Sequence, residues 1–305
     1  MAAHEWLAAC AVYLLALWVV LSGLDDLFLN AVFFTRRLWN GVRKPSRAAL
    51  DSVPPRRIAV FVPLWRESDV IRRMLEHNLA AVRYAPLDFF VGVYPNDPAT
   101  GAAVANVASR FPNVHLAMCP HPGPTSKADC LNWAYQRMLL FEEARGVRFE
   151  AVVVHDAEDL IHPESLRLIN YHLENHDMVQ VPVLPLPTSP REWTHGLYCD
   201  EFAEFQTKDI PVRQALGGFI ASNGVGTGFS RAVLEALAAR SGNRIFEPGC
   251  LTEDYDAGYR IHALGRPQLF TTIHGLPGGP LATREYFPRS FAAAVRQRTR
   301  WRSEE

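Results

Sequence analysis

Residues 57–82 read Arg-Ile-Ala-Val-Phe-Val-Pro-Leu-Trp-Arg-Glu-Ser-Asp-Val-Ile-Arg-Arg-Met-Leu-Glu-His-Asn-Leu-Ala-Ala-Val. A short continuous apolar run ends at Pro63. After Ser68, Val70, Ile71, Met74, Leu75, Leu79 and Val82 follow at helical spacing. This predicts a strand buried on both faces and then a helix. The pattern repeats outward: strands over 88–94, 114–118 and 150–155, helices over 100–110 and 127–143. Such alternation predicts an α/β domain with a mostly parallel sheet and helices on its faces. Ligands of such sheets sit beyond the carboxyl ends of the strands, so the polar clusters just past each apolar run are where chemistry is sought.

The whole chain has 305 residues, 49% hydrophobic and 21% charged, with a formal net charge of −1. It is too apolar and too balanced for disorder, and it lacks the basic excess of a nucleic-acid binder. Five cysteines, at 10, 119, 130, 199 and 250, include no C-x-x-C pair and give neither a disulfide framework nor a zinc site. A reducing compartment is expected.

From Trp6 to Leu24 there are 19 consecutive residues without a formal charge. A helix of about 20 residues is what a hydrocarbon layer of about 30 Å requires. The preceding residues lack the basic n-region of a signal peptide, so the segment reads as an uncleaved anchor, with a buried core helix as the alternative. Arg36, Arg37, Arg43, Lys44, Arg47, Arg56 and Arg57 all follow the span and no Lys or Arg precedes it, which places the remainder in the cytoplasm. The expected organisation is a membrane anchor over 1–34, a basic linker over 35–57 and a catalytic domain over 58–305 truncated at its C-terminus.

Five polar clusters carry chemistry. Pro63-Leu-Trp-Arg-Glu67 follows the first strand and Tyr94-Pro-Asn-Asp97 the second. After three consecutive valines comes His155-Asp156-Ala157-Glu158-Asp159; three carboxylates in four residues repel unless a cation or hydrogen-bond donors hold them, and a hard divalent metal fits. A solvated turn capping a helix is the plain alternative. Pro124-Thr-Ser-Lys127-Ala-Asp129 opens a helix, where orphan N–H groups and a lysine suit phosphate. Thr252-Glu253-Asp254 also opens a helix, which simple dipole compensation would explain too. His155 has no His-x-x-x-His companion and reads as a structural neighbour of the acids. Arg191–Asp209 reads as a solvated helix packed on the sheet, with a membrane-surface segment as the alternative.

Taken in order, Asp97, Lys127, Asp156-Ala-Glu158, Thr-Glu-Asp254 and Gln297-Arg-Thr-Arg300-Trp301 resemble family 2 glycosyltransferases of the processive, membrane-embedded, cellulose-synthase-like kind. The resemblance runs from about residue 6 to the last. It implies a GT-A-like (Rossmann-like) sheet preceded by one transmembrane helix. It also implies donor-binding roles for Glu67, Asp97, Lys127, Asp129, Asp156 and Arg300, with Asp97 at the uracil and Arg300 at the diphosphate. Glu158, with Asp156, would hold Mg2+ or Mn2+; the family usually has a second Asp there, so metal choice and geometry are open. Asp254 matches the general base, with Glu253 beside it, while Trp301, Gln297 and Gly226 would serve the acceptor.

The implied reaction is inverting displacement at the anomeric carbon of a UDP-sugar by a saccharide acceptor, with Asp254 removing the hydroxyl proton. Expected partners are the UDP-sugar, the growing polysaccharide, a lipid bilayer and an outer-envelope export partner, at the bacterial inner membrane. A non-processive enzyme acting on a lipid acceptor and a non-catalytic scaffold of the same fold are the alternatives. The chain stops four residues after Trp301, where the resembled enzymes continue into further membrane helices. It is therefore expected to be the front portion of a longer synthase, with the segment from Arg289 onward loosely docked.

Overall fold

A computed structural model of the chain describes residues 3–39, 45–250, 252–274 and 279–303. The chain begins with helices α1 (Ala3–Trp39) and α2 (Arg47–Ser52). The alternating unit follows as β1 (Ile58–Pro63), α3 (Ile71–Ala81), β2 (Leu87–Val93), α4 (Pro98–Ala108), β3 (Val114–Met118), α5 (Lys127–Arg145) and β4 (Ala151–Val154). Next come α6 (Ser165–His172), β5 (Met178–Gln180), β6 (Val183–Pro185) and α7 (Trp193–Glu204), which runs through a π-helical turn at Phe205–Asp209 into α8 (Ile210–Ala215). The remaining elements are β7 (Thr227–Ser230), α9 (Arg231–Arg240), α10 (Glu253–Ala263), β8 (Gln268–Phe270), β9 (Thr283–Glu285) and α11 (Phe291–Ser303).

The main sheet has the order β3-β2-β1-β4-β7-β5-β8, and β6 pairs in parallel with β9 in a separate two-stranded sheet. Every pairing in the main sheet is parallel except those of β7 with β4 and β5. Alternation along the central strands divides two cores. Ile58, Val60 and Val62 of β1 pack with Phe89, Val91 and Val153 under α3, α4 and α6. Ala59 and Phe61 pack with Phe90, Val152 and Val154 under α5, α9 and α10. Both faces are covered, which explains why these strands read as unbroken apolar runs. Each large side chain so buried contributes about 1.5–3 kcal/mol.

Three expectations change. The stretch read as linker contains α2, capped by Ser46, whose Oγ accepts from Ala49 N–H. Leu50 is buried, and Arg47 pairs with Glu164 at 2.8 Å, tying α2 to the start of α6. Only one apolar side chain anchors this helix, too little for a periodic signal. The helix over Arg191–Asp209 does not lie on the main sheet: α7 packs on β6, and the turn after it meets α1. The terminal segment is not loose, because Ala294 of α11 is buried against Tyr198 and Phe287, and Arg298 pairs with Glu201 and lies over the Tyr198 ring.

The apolar stretch His4–Leu38 of α1 is long and apolar enough to cross a membrane. Its 37 residues reach about 55 Å at 1.5 Å per residue, well beyond a hydrocarbon layer. Its lower part, centred on buried Leu29, packs on the π-helical turn and α8.

Candidate active site

The carboxyl ends of β1, β2 and β4 open onto one edge, at the point where the strand order reverses. Lys127 stands at its centre. Ser126 caps α5 by accepting from Asp129 N–H, which fixes Lys127 as the first helical residue. Its Nζ lies 2.7 Å from Asp156 Oδ1 and 4.0 Å from Glu253 Oε1. Burial alone would lower the affinity of the ammonium for its proton, but Asp156, Glu253 and Asp254 outweigh it and raise the pKa. One helix start thus meets a strand end and a second helix start.

Glu253 and Asp254 occupy the first turn of α10. Burial pushes the Glu253 carboxyl up to about 7 against the opposing pull of Lys127. Asp254 is raised as well, again by burial opposed by Lys127, and its Oδ1 accepts from Tyr255 N–H at 2.8 Å. A carboxylate raised in this way is a stronger base than one in water. Asn132 of α5 sets the approach to α10: its Oδ1 accepts from Ile245 and Phe246 N–H, and its Nδ2 donates to Phe246 O.

Gly224 completes this corner in a left-handed conformation, φ +72. A Cβ there would stand 2.7 Å from Asp254 Oδ2 and 3.3 Å from Lys127 Nζ, so only glycine lets the loop pass so near the acids. Buried Gln180 shapes the loop, accepting from Asn223 N–H and Thr227 Oγ1 while its Nε2 donates to Val181 O and Val225 O. Gly226 is buried, its Cα facing Thr283 and Val181, so Gly224 and not Gly226 adjoins Asp254 and Lys127.

The side of the opening formed after β1 and β2 is built from three stitched loops. Asn96 bonds Gly123 through both amide atoms, Tyr94 O–H and Thr125 Oγ1 lie 2.6 Å apart, and Trp65 meets the Tyr94 ring edge-on at 5.5 Å. Asp97 caps α4 and accepts from the Arg66 N–H at 2.7 Å, holding Arg66 at φ 60. These hydrogen bonds outweigh burial and lower its pKa. Asp129 accepts from His121 and Thr125, closing its own turn rather than joining the central acids. Glu67 does face them: burial, then the charges of Glu158, Asp156 and Asp97, push its carboxyl up to about 7.

Below Asp156, His155 Nδ1 and Asp159 Oδ2 lie 2.9 Å apart, both fully buried, and Asp156 N–H donates to the same oxygen. Burial drives His155 down to about 3 and Asp159 well above the ordinary carboxyl range. Asp159 Oδ1 is buried with no hydrogen-bond partner. The donors around the opening are all hard oxygens, which suits Mg2+ or Mn2+. Among the described residues no three His, Cys, Asp or Glu side chains already converge on one point, so the exposed Glu158 side chain would have to turn inward.

On α11, Gln297 Oε1 is buried without a hydrogen-bond partner. The side chains of Arg300 and Trp301 lie outside the described residues. The sequence reading missed Gln180 and Gln206. Gln206 sits in the π-helical turn and accepts from Val183 N–H and Asn223 Nδ2, linking that turn to the Gly224 loop. No local pattern marks either of them, since each acts through a contact between distant segments.

A sheet of this order, with a lysine and two acidic turns at its carboxyl edge, defines a GT-A-like domain of the nucleotide-sugar-dependent class. The chain belongs to the family described as "Glycosyltransferase like family 2", whose model matches residues 54–303, and its domain is that of a glycosyltransferase. It is 40% identical over 323 residues to bacteriophage adsorption protein B of Escherichia coli, a match covering 97% of this chain and 43% of that protein. The chain thus spans less than half the length of this curated relative. Among solved structures it is similar to a mannosyltransferase from Pyrobaculum calidifontis in complex with GDP-mannose and Mn2+, at 19% identity and a TM-score of 0.60, covering 95% of this chain and 72% of that one.

Proposed function

We propose that the protein is a membrane-anchored inverting glycosyltransferase. It moves a hexose or N-acetylhexosamine from a UDP-sugar to a growing polysaccharide at the cytoplasmic face of a bacterial inner membrane. The observation that carries this reading is the position of Lys127, bonded to Asp156 and beside Glu253 and Asp254. Charge on a departing diphosphate develops next to a fixed ammonium, while a raised carboxylate stands on the other side of it to take the acceptor proton. Asp156 and Glu158, with Glu67 opposite, would hold a divalent ion, which when bound neutralises part of the diphosphate charge. The Trp65–Tyr94 pair and Asp97 line the side assigned to the base. The seven basic residues after the uncharged stretch Trp6–Leu24 and the docking of the lower part of α1 on the domain support the anchored, cytoplasmic arrangement.

A lipid-linked acceptor is the second reading. It is favoured by Trp193 and Leu197, 81% and 68% exposed on α7, the helix that leads into the turn docked on α1.

The test measures thermal stability with UDP and Mn2+ together and then donor turnover in membranes. Ligand at about 100 times its Kd stabilises the folded state by about 2.7 kcal/mol. A melting temperature indifferent to UDP and Mn2+, together with no turnover of any UDP-hexose, refutes the reading. An α-linked donor should give a β-linked product; retention would exclude a single displacement.

A further inference from the structure

Arg66, in the loop after β1, is unusual both in its backbone and in its charge. Its φ of 60 lies in the left-handed region, which a residue with a Cβ adopts at a cost and keeps only where its surroundings enforce it. Here the start of α4 enforces it: Arg66 N–H donates to Asp97 Oδ2 at 2.7 Å, and Glu67 N–H donates to Thr100 Oγ1 at 3.0 Å. Glu67 O in turn accepts from Val70 and Ile71 N–H at 3.2 and 3.0 Å, so the turn is pinned from both ends. The Arg66 side chain is exposed, and its guanidinium carbon lies 5.2 Å from the centre of the Trp65 ring. With the described residues that guanidinium forms no hydrogen bond and no ion pair. Turns held against their local preference cluster at ligand sites, and this one holds a cation whose N–H groups are open.

We propose that Arg66 binds the diphosphate of the donor nucleotide, an inference that rests on the UDP-sugar reading above. A base lodged by Trp65 and Tyr94 and a sugar brought to Lys127 and Asp254 leave the diphosphate to cross between them. Glu67 and Asp156 flank that crossing with negative charge. The Lys127 ammonium is already engaged by Asp156 at 2.7 Å and stands 4.0 Å from Glu253, so it answers to acids of the protein before any phosphate arrives. Arg66 supplies what the crossing lacks: a planar fork of N–H groups that matches two phosphate oxygens at once. The Trp65 ring attracts the guanidinium through its face, which holds the fork on the loop without consuming an N–H. The competing assignment makes Arg66 a cover for the Trp65 ring with no part in nucleotide binding.

The two assignments separate when UDP is compared with uridine, which keeps the base and lacks the phosphates. Titration calorimetry with UDP and ligand-observed NMR with uridine are run on the full chain in detergent with Mn2+ present. Arg66→Asn places a residue that tolerates the left-handed turn, so without ligand it melts at or above the wild-type temperature. It binds UDP about 10- to 100-fold more weakly, the share of hydrogen bonds to a charged group, and binds uridine as the wild type does. Arg66→Gly shows the same loss should the Asn variant not fold, and Arg66→Lys, which keeps the charge without the fork, recovers part of it. Wild-type UDP affinity in R66N and R66G overturns the proposal, whatever their melting temperatures. An equal loss for UDP and uridine overturns it too, because the contact is then to the base. No binding of UDP or uridine by the wild type overturns the UDP-sugar reading and this inference with it.

Discussion

Glu253→Gln gives the sharpest test of the electrostatics at the start of α10. Glu253 is 6% exposed, and burial lifts its carboxyl from 4.5 to about 7 even though Lys127 stands 4.0 Å away. A carboxyl whose pKa is raised by folding contributes stability that is complete below its unfolded pKa and lost as pH rises through the folded one. The window therefore runs from about pH 4.5 to somewhat above 7. At about 1.4 kcal/mol per pH unit, the wild type loses on the order of 3 kcal/mol across it through this group. Gln has the same shape and no proton to lose, so E253Q escapes that loss. For a domain of this size, about 2 °C per kcal/mol gives a melting temperature about 6 °C above wild type at pH 8, with near equality at pH 4.5. Differential scanning calorimetry in EDTA across pH 4.5–8.5 measures the gap. Glu67 titrates in the same window but is present in both proteins and cancels. Parallel pH profiles, or a gap that widens toward low pH, would refute the burial argument.

Asp254→Asn should keep UDP affinity within a few-fold while turnover at saturation falls by about 10² to 10⁴, the usual share of a general base; lost binding with intact turnover would reverse the assignment. Gly224→Ala should lower stability by about 1–3 kcal/mol and reduce turnover more than donor affinity, since its φ is +72 and the new methyl would press on Asp254. Wild-type kinetics and melting in that variant would show the loop to be yielding. A reporter fused after the last residue should read as cytoplasmic, and a periplasmic reading would contradict both the basic flank of α1 and a cytosolic donor.

The main sheet was legible because its strands are buried on both faces. β1, β2 and β4 then appear as apolar runs, and Ser126 marks the start of α5 by a hydrogen bond that a local reading can anticipate. The acidic turns were legible for a related reason: like charges packed at Asp156–Asp159 need a partner wherever the chain puts them. What escaped is everything made by crossing. β5, β6, β8 and β9 are three residues each, too short for a period, and their partners lie tens of residues away. Gly224 and Gly226 lie two residues apart, and only the fold decides which of them faces Asp254 and which faces Thr283.

The same crossings connect α1 to the site. α1 meets the π-helical turn at Phe205–Asp209, where the helical ladder is widened by one residue. Such turns are rare and tend to occur where a side chain must be placed against the helical register. Here the widened turn carries Gln206 inward, where its carbonyl oxygen accepts from Val183 of the small sheet and from Asn223, the neighbour of Gly224. Asn223 is held from its other side by Gln180, so the glycine loop is fixed between the main sheet and the helix on which α1 rests. A Gln206→Ala change removes the second hold and leaves the first. The expected result is a fold that melts close to wild type, donor affinity that weakens little, and turnover that drops about 10²-fold, because displacement of catalytic groups by about 1 Å has that effect. Turnover equal to wild type in Q206A would mean that Gln180 alone positions Gly224, and that the contact between α1 and the domain has no bearing on the chemistry.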